Sequence, residues 1–169
     1  MKKNIVVLIS GRGSNLKSIL SATKDANYPA IVSLVISDNS KAQGLDIAKH
    51  NNIDNVIIER SSFDSNDNFE EDLIKQITQY NPSLICLAGF MKILSKGFVE
   101  KFMGKIINIH PSLLPKYKGL NTHQKAINSG DKHSGCTVHY VNDKMDDGEI
   151  IAQQKVIITI DETVETLKD

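Results

Sequence analysis

Short apolar runs recur along the chain, and each has the length of a buried strand. Near-continuous hydrophobicity of this kind is typical of strands covered on both faces in a parallel sheet. Segments with apolar residues at helical spacing alternate with these runs, and Asp64 or Ser65 is the candidate N-cap of the third such segment. The alternation predicts a Rossmann-like, doubly wound α/β sheet. The strand-like runs cover residues 5–9, 31–36, 56–58, 84–88 and 106–109, and the helical segments cover residues 15–22, 41–51 and 64–80.

The pattern changes in the second half of the chain. Residues 123–129 predict one more helix, and residues 135–141 then alternate between two faces as a half-buried strand does. Residues 150–160 form another strand-like run, separated from the first by an acidic turn. These two runs predict an antiparallel pair at one edge of the mostly parallel sheet. A short apolar stripe follows Asp161, which we expect to cap a last helix of about two turns.

The chain shows no internal repeat, low-complexity segment or linker, and 169 residues fit one domain. We therefore expect a single domain over residues 1–169. The last helix has neither a closing glycine nor a second cap, so we also expect that the C-terminus is truncated or disordered.

Composition narrows the classes of partner. Twenty basic and twenty acidic side chains cancel, so no overall positive field attracts nucleic acid or an anionic membrane. Cys86 and Cys136 suggest no disulfide framework, which favours a cytoplasmic protein. The apolar run near the N-terminus is too short for a signal peptide or a membrane span. The five histidines lack the spacings of common metal motifs, so we expect no metal.

A glycine-rich loop, SGRGSNL, joins the first strand to the first helix. It matches neither the dinucleotide fingerprint nor the Walker A loop. Gly13 lets the backbone approach a ligand, and Ser14 and Asn15 open a helix whose free amides favour an anion, most simply a phosphate. The alternative is a tight turn in which Ser14 is only the N-cap of the helix.

Asn108 and His110 lie two apart at the end of an apolar run, so a strand would project both from one face. A carboxamide and an imidazole together suit a reaction in which charge develops on an oxygen while a proton moves. A carboxylate from the acidic turn, Asp146 or Asp147, would complete such a site, and the residues alone do not choose between them. His139 either joins this group or is structural. The alternative is a strand end whose polar side chains satisfy backbone groups.

The segment AGFMKILS follows the fourth strand and carries apolar side chains at the carboxyl edge of the sheet. Ligands bind at that edge in open α/β folds, so a flat aromatic ligand is one expectation. Packing against the next helix is the other.

Four of these segments together resemble the glycinamide ribonucleotide formyltransferase family, over residues 3 to about 160. They are IVVLISGRGSNL, LAGFMKILS, NIHPSLLPKYKGLNTHQKA and GCTVHYVNDKMDDGEII. The resemblance implies an enzyme of purine synthesis that transfers a formyl group from 10-formyltetrahydrofolate to the amine of glycinamide ribonucleotide. It further implies a protein that acts as a monomer or homodimer.

The resemblance also implies residue roles. Asn108 and His110 would stabilise the tetrahedral intermediate, and Asp146, the first of the two candidate acids, would hold His110 and help to move the amine proton. Gly13, Ser14 and Asn15 would bind the ribonucleotide phosphate. The folate would contact Asn66, Leu87, Met91, Lys92, Ile93, Leu94, Val141, Asn142, Asp143, Lys144, Met145 and Asp146.

The chain departs from the family pattern in two places. Family members usually continue through a further helix and strand, and an arginine that often contacts the folate tail falls on Asn66. The alternatives are another formyltetrahydrofolate-using transferase or hydrolase of the same fold, and a non-catalytic ribonucleotide- or folate-binding module.

Overall fold

Strands and helices alternate through the computed structural model, which describes residues 1–168. The strands are β1 (Lys3–Ile9), β2 (Ala30–Ser37), β3 (Asn55–Ile57), β4 (Leu84–Leu87), β5 (Ile106–His110), β6 (His133–Tyr140) and β7 (Ile150–Ile157). The helices are α1 (Ser14–Thr23), α2 (Gly44–His50), α3 (Asn66–Gln79), α4 (Lys96–Lys101), α5 (Thr122–Asn128) and α6 (Val164–Leu167), with a short 3-10 helix at Arg60–Ser62.

The strands follow the order β3-β2-β1-β4-β5-β6-β7 in the sheet. Parallel pairs join β1 to β2, β1 to β4, and β2 to β3, whereas β6 pairs antiparallel with both β5 and β7. This arrangement confirms the predicted α/β class, with its antiparallel strands near the C-terminus. By internal contacts the chain divides into two compact units, residues 1–106 and residues 107 onward. The single domain stays a prediction.

The first unit has the buried core that its apolar runs predict. Four consecutive residues of β1, from Val6 to Ile9, are fully buried, as expected for a parallel strand covered on both faces. Helix α3 buries Phe69, Leu73 and Ile77, which lie four residues apart on one stripe. The Ser65 hydroxyl accepts the Asn68 N–H at 3.1 Å, so Ser65 rather than Asp64 is the N-cap of α3.

In the second unit, β6 buries Ser134, Thr137 and His139, whereas β7 is exposed along its whole length. Thr137 is fully buried, and its hydroxyl donates to the Ser112 carbonyl at 2.6 Å and accepts the Leu114 N–H at 3.1 Å. These bonds fix the segment after β5 against β6. The predicted cap of α6 is wrong: the Thr163 hydroxyl accepts the Thr166 N–H in a capping box, so Asp161 lies outside the helix.

Candidate active site

His110 ends β5 as a buried imidazole with a partner on each ring nitrogen. Its Nε2 lies 2.9 Å from the Tyr117 carbonyl oxygen, and its Nδ1 lies 3.4 Å from Oδ2 of Asp146. A carbonyl only accepts, so Nε2 carries a hydrogen and donates it to Tyr117. Nδ1 is therefore the nitrogen that faces the carboxylate.

His139 lies near the other oxygen of the Asp146 carboxylate. Its ring is 2% exposed, and its Nδ1 lies 2.8 Å from the Tyr140 carbonyl oxygen. Because a carbonyl only accepts, the hydrogen of the neutral ring lies on Nδ1, and the Nε2 lone pair is free to accept. Asn108 Nδ2 donates to this Nε2 at 3.2 Å, and Oδ1 of Asp146 lies 3.7 Å from it. His139 thereby fixes which end of the Asn108 amide is the nitrogen, and the second N–H of that amide can donate elsewhere.

Asp146 lies beside both histidines and forms a cluster with Asn108, His110 and His139. Its neighbour in sequence, Asp147, does not belong to this cluster. The Asp146 side chain is 12% exposed, and its Oδ2 accepts the Gly119 N–H at 2.8 Å. Asp147 forms an ion pair with Lys118 instead, and the hydrogen bond from that lysine lowers the pKa of Asp147. The structure thus separates the two candidates that spacing alone leaves open.

The turn between β6 and β7 holds Asp146 in an unusual backbone conformation. Asp146 has a φ of 49°, in the left-handed region that aspartate tolerates better than most residues. Two residues later, a Cβ added to Gly148 would lie 1.7 Å from the Tyr140 carbonyl oxygen, so only glycine fits there. The Tyr140 N–H closes the turn by donating to the Glu149 carbonyl at 2.9 Å.

The glycine loop of the first unit ends at Gly13, which is the N-cap of α1. Gly13 has a φ of 79°, and a Cβ added there would lie 2.6 Å from the Gly44 Cα. No side chain caps α1, so the alternative in which Ser14 is the N-cap is wrong. Ser14 and Asn15 form the first turn of the helix, where backbone amides are free for an anion.

The predicted folate residues of the first unit divide by exposure. Met91 is 66% and Ile93 is 75% exposed, so these two apolar side chains do not pack into the core. The Met91 N–H donates to the Ser10 hydroxyl at 2.8 Å, which ties this segment to the glycine loop. Leu87 is buried at the end of β4. The remaining members also have defined positions: Leu94 is half-buried, Lys92 Nζ lies 3.8 Å from Oδ2 of Asp38, and Asn66 donates to Glu70 at 3.1 Å.

The predicted folate residues of the second unit form the turn that carries Asp146. Asn142, Asp143, Lys144 and Met145 are exposed, whereas Val141 is half-buried. The Asn142 side chain accepts the Lys144 N–H at 3.0 Å and so shapes the start of the turn. A Cβ added to Gly119 would lie 3.7 Å from the Met145 sulfur.

The family model described as formyl transferase matches residues 3–169. This chain belongs to the formyl transferase family. The phosphoribosylglycinamide formyltransferase of Escherichia coli strain K12 is 46% identical over 153 residues, which are 90% of this chain and 72% of that protein. Among solved structures, the phosphoribosylglycinamide formyltransferase of Brucella melitensis has a TM-score of 0.95 at 39% identity and covers 99% of this chain and 86% of its own.

A second structure agrees with the first. The phosphoribosylglycinamide formyltransferase of Coxiella burnetii, in complex with CHES, has a TM-score of 0.93 at 46% identity and covers 99% of this chain and 79% of its own. These likenesses confirm both the resemblance and the fold class that the sequence predicts for this formyl transferase.

Three contributors to the formyl transferase cluster escape the sequence analysis. They are the Tyr117 carbonyl, the Gly119 N–H and the glycine at position 148. The first two are backbone atoms, which every residue carries, so no residue type marks them. Gly148 does leave a signal, since a glycine directly after two aspartates in an acidic turn indicates a tight bend.

Within residues 1–168, no group of three or more His, Cys, Asp or Glu side chains is arranged to hold a metal ion. The absence of a metal cofactor stays a prediction. None of the helices described there has the length and apolar character needed to cross a membrane.

Proposed function

We propose that this formyl transferase moves the formyl group of 10-formyltetrahydrofolate onto the amine of glycinamide ribonucleotide, a step of purine synthesis. The observation that carries the proposal is the cluster in the second unit, where Asp146 lies 3.4 Å from His110 Nδ1 and 3.7 Å from His139 Nε2. An acid, an imidazole and an oriented amide meet there, which suits transfer between an amine and a formyl carbon.

In the first step, the substrate amine attacks the formyl carbon. A carbon–nitrogen bond forms, the carbonyl π electrons move onto the oxygen, and a tetrahedral intermediate results. The second N–H of Asn108 donates to this oxyanion, because the first is held by His139 at 3.2 Å. Removing one such donor costs about 3–4 kcal/mol of transition-state stabilisation in a comparable acyl-transfer enzyme.

In the second step, the oxyanion electrons re-form the carbonyl and the carbon–nitrogen bond to folate breaks. The attacking nitrogen loses a proton and the folate nitrogen gains one. His110 Nδ1 and Asp146 form the pair through which this proton passes. The Tyr117 carbonyl holds the opposite ring nitrogen at 2.9 Å, so the imidazole keeps its orientation while Nδ1 exchanges its proton. The Gly119 N–H holds Asp146 in the same way.

The proposed ligand contacts are assigned for each unit separately. We assign the ribonucleotide phosphate to the backbone amides of Gly13, Ser14 and Asn15, because α1 begins there without a side-chain cap. We assign folate contacts of the first unit to the segment from Leu87 to Leu94, where Met91 and Ile93 expose apolar area. In the second unit, the assigned folate contacts are residues 141–146. Asn66 is assigned to the folate tail, although its amide also donates to Glu70.

Other properties remain predictions. We expect a cytoplasmic enzyme that acts as a monomer or homodimer and needs no metal. The rival functions are another formyltetrahydrofolate-using transferase or a hydrolase of the same fold, and a non-catalytic ribonucleotide- or folate-binding module.

The test is to mix the protein with 10-formyltetrahydrofolate and to follow loss of the formyl group, with and without glycinamide ribonucleotide. Turnover that requires the ribonucleotide supports the proposal. Turnover with water alone indicates the hydrolase, and tight binding of both ligands with no turnover indicates the module.

A further inference from the structure

A cavity of about 220 Å³ lies in the second unit, and none of the proposed folate contacts lines it. It is lined by the segment after β5, by residues 131–134 around the start of β6, and by Lys155 of β7. Its volume is below that of common drug-sized sites, so it fits a small ligand rather than a folate or a whole nucleotide.

The cavity carries an excess of positive charge. Three of its lining residues are lysines, Lys116, Lys132 and Lys155, and Asp131 is the one lining carboxylate. Lys116 is already neutralised, because its Nζ lies 3.0 and 3.1 Å from the two Asp131 oxygens. Hydrogen bonds from Lys116 and Tyr117 lower the pKa of Asp131, so this carboxylate stays charged and engaged.

Lys132 and Lys155 are left without a counterion among residues 1–168. Their backbones are fixed on one end of the β6–β7 pair: Lys155 is in register with Gly135, and the Lys132 carbonyl accepts the Ile158 N–H at 3.0 Å. Both side chains are exposed and line one concave surface, so an anion bound there is attracted by two cations.

A serine hydroxyl supplies a further polar group. Ser134 lines the cavity, is 5% exposed, and its side chain forms no hydrogen bond with the part of the chain that the structure describes. Its hydroxyl is therefore available to donate to an acceptor oxygen bound in the cavity. Exposed His133 lines the same cavity and is a further donor.

We propose that this cavity is a second anion site, which binds the phosphate groups of a small phosphorylated molecule through Lys132, Lys155 and Ser134. It is separate in sequence from the phosphate loop at residues 13–15. The proposal does not depend on the proposed function, since it concerns binding alone.

The test is a titration of the whole chain with inorganic pyrophosphate, followed by calorimetry and by the backbone amide signals in NMR. We expect saturable shifts at residues 132–134 and 155, and a Kd at least about tenfold weaker in Lys132→Ala/Lys155→Ala, which removes two charged contacts. The control is Lys75→Ala/Lys101→Ala, which removes the same charge from exposed positions of the first unit and should change the Kd less than twofold.

The glycine loop is tested separately. Gly13→Ala should weaken any binding of pyrophosphate to that loop while leaving the shifts at residues 132–134 intact. Shifts confined to residues 11–17 would overturn the proposal. So would an equal Kd in the two double-lysine variants, or the absence of saturable binding in the wild type.

Discussion

The glycine loop of the first unit and the cluster around Asp146 in the second are held in place by different means. At the loop, the decisive feature is the absence of a side chain: Gly13 has a φ of 79° and a Cβ would lie 2.6 Å from the Gly44 Cα. At the cluster, the decisive feature is a set of side-chain contacts: Asn108 donates a hydrogen bond to His139, and Asp146 lies between His139 and His110.

The difference sets how each region responds to substitution. A backbone site tolerates changes of side chain as long as the loop keeps its path. It does not tolerate a Cβ at Gly13, where the backbone approaches Gly44 closely. A side-chain site tolerates no change of donor or acceptor, even where the shape is kept. Matched substitutions at neighbouring positions therefore separate the two kinds of site.

The largest effect is expected for Asp146→Asn, which keeps the shape and removes the charge that faces His110 Nδ1. We expect kcat to fall by about a hundred- to ten-thousandfold, the range typical of a lost general acid–base group. The control is Asp147→Asn, because Asp147 is paired with surface Lys118 and should leave kcat within about twofold. Steady-state kinetics of both variants give the comparison, and equal losses in the two would contradict the assignment of the acid.

A smaller effect is expected for Gly13→Ala. The added Cβ meets the Gly44 backbone, and the left-handed conformation costs a non-glycine residue about 1–2 kcal/mol. The loop must shift, so we expect kcat/KM for the ribonucleotide to fall by on the order of a hundredfold, while the KM for the folate changes little.

Gly11→Ala is the matched control for the loop, since nothing lies within 4 Å of a Cβ built on Gly11. Its kinetics should resemble the wild type for both substrates. An equal loss of kcat/KM for both substrates in Gly13→Ala would show that the loop does not hold the phosphate. A large change of kcat/KM in Gly11→Ala would show the same.

The third prediction concerns His139, which we propose positions Asn108 through the hydrogen bond at 3.2 Å. His139→Phe removes the Nε2 acceptor and should lower kcat up to about tenfold, the free energy of one hydrogen bond. His139→Gln restores an acceptor and should recover part of the loss. In an Asn108→Ala background the His139→Phe change should cost almost nothing more, because both act on one interaction. Additive losses in this double-mutant cycle would exclude the positioning role.

Most of the fold was predictable because buried parallel strands leave continuous apolar runs. The strands from β1 to β5 lie within about two residues of the runs that predict them. Helix α2 is shorter than predicted because it begins at Gly44, whose N–H donates to the Gly11 carbonyl at 3.1 Å. That close approach is a tertiary contact and has no local signal. The capping error at Asp161 arose because Thr163 is an equally good N-cap nearer the apolar stripe.

The candidate site was predictable only in part. Spacing placed Asn108 and His110 together, since a strand has a period of two residues. The choice of Asp146 over Asp147 depends on a φ of 49° in the turn, and the partners of His110 and Asp146 include backbone atoms of Tyr117 and Gly119. Neither the turn angle nor the position of a backbone atom follows from residue type, so these required coordinates.

Substitution of either cysteine is expected to have the smallest effect on activity. The rates at which the two thiols are labelled instead compare the solvent access of one strand in each unit. Burial raises the pKa of Cys86 in β4 to about 12 from its ordinary value of 9.0, whereas Cys136 in β6 is half-buried. At pH 8 this shift alone cuts the reactive thiolate of Cys86 about a thousandfold. In a folded protein, a disulfide reagent should therefore modify Cys136 first, and Cys86 should react only on unfolding or as the pH rises toward 12. Cys86→Ser and Cys136→Ser resolve the two rates, and rapid labelling of Cys136→Ser at pH 8 would show that the β4 strand is open to solvent.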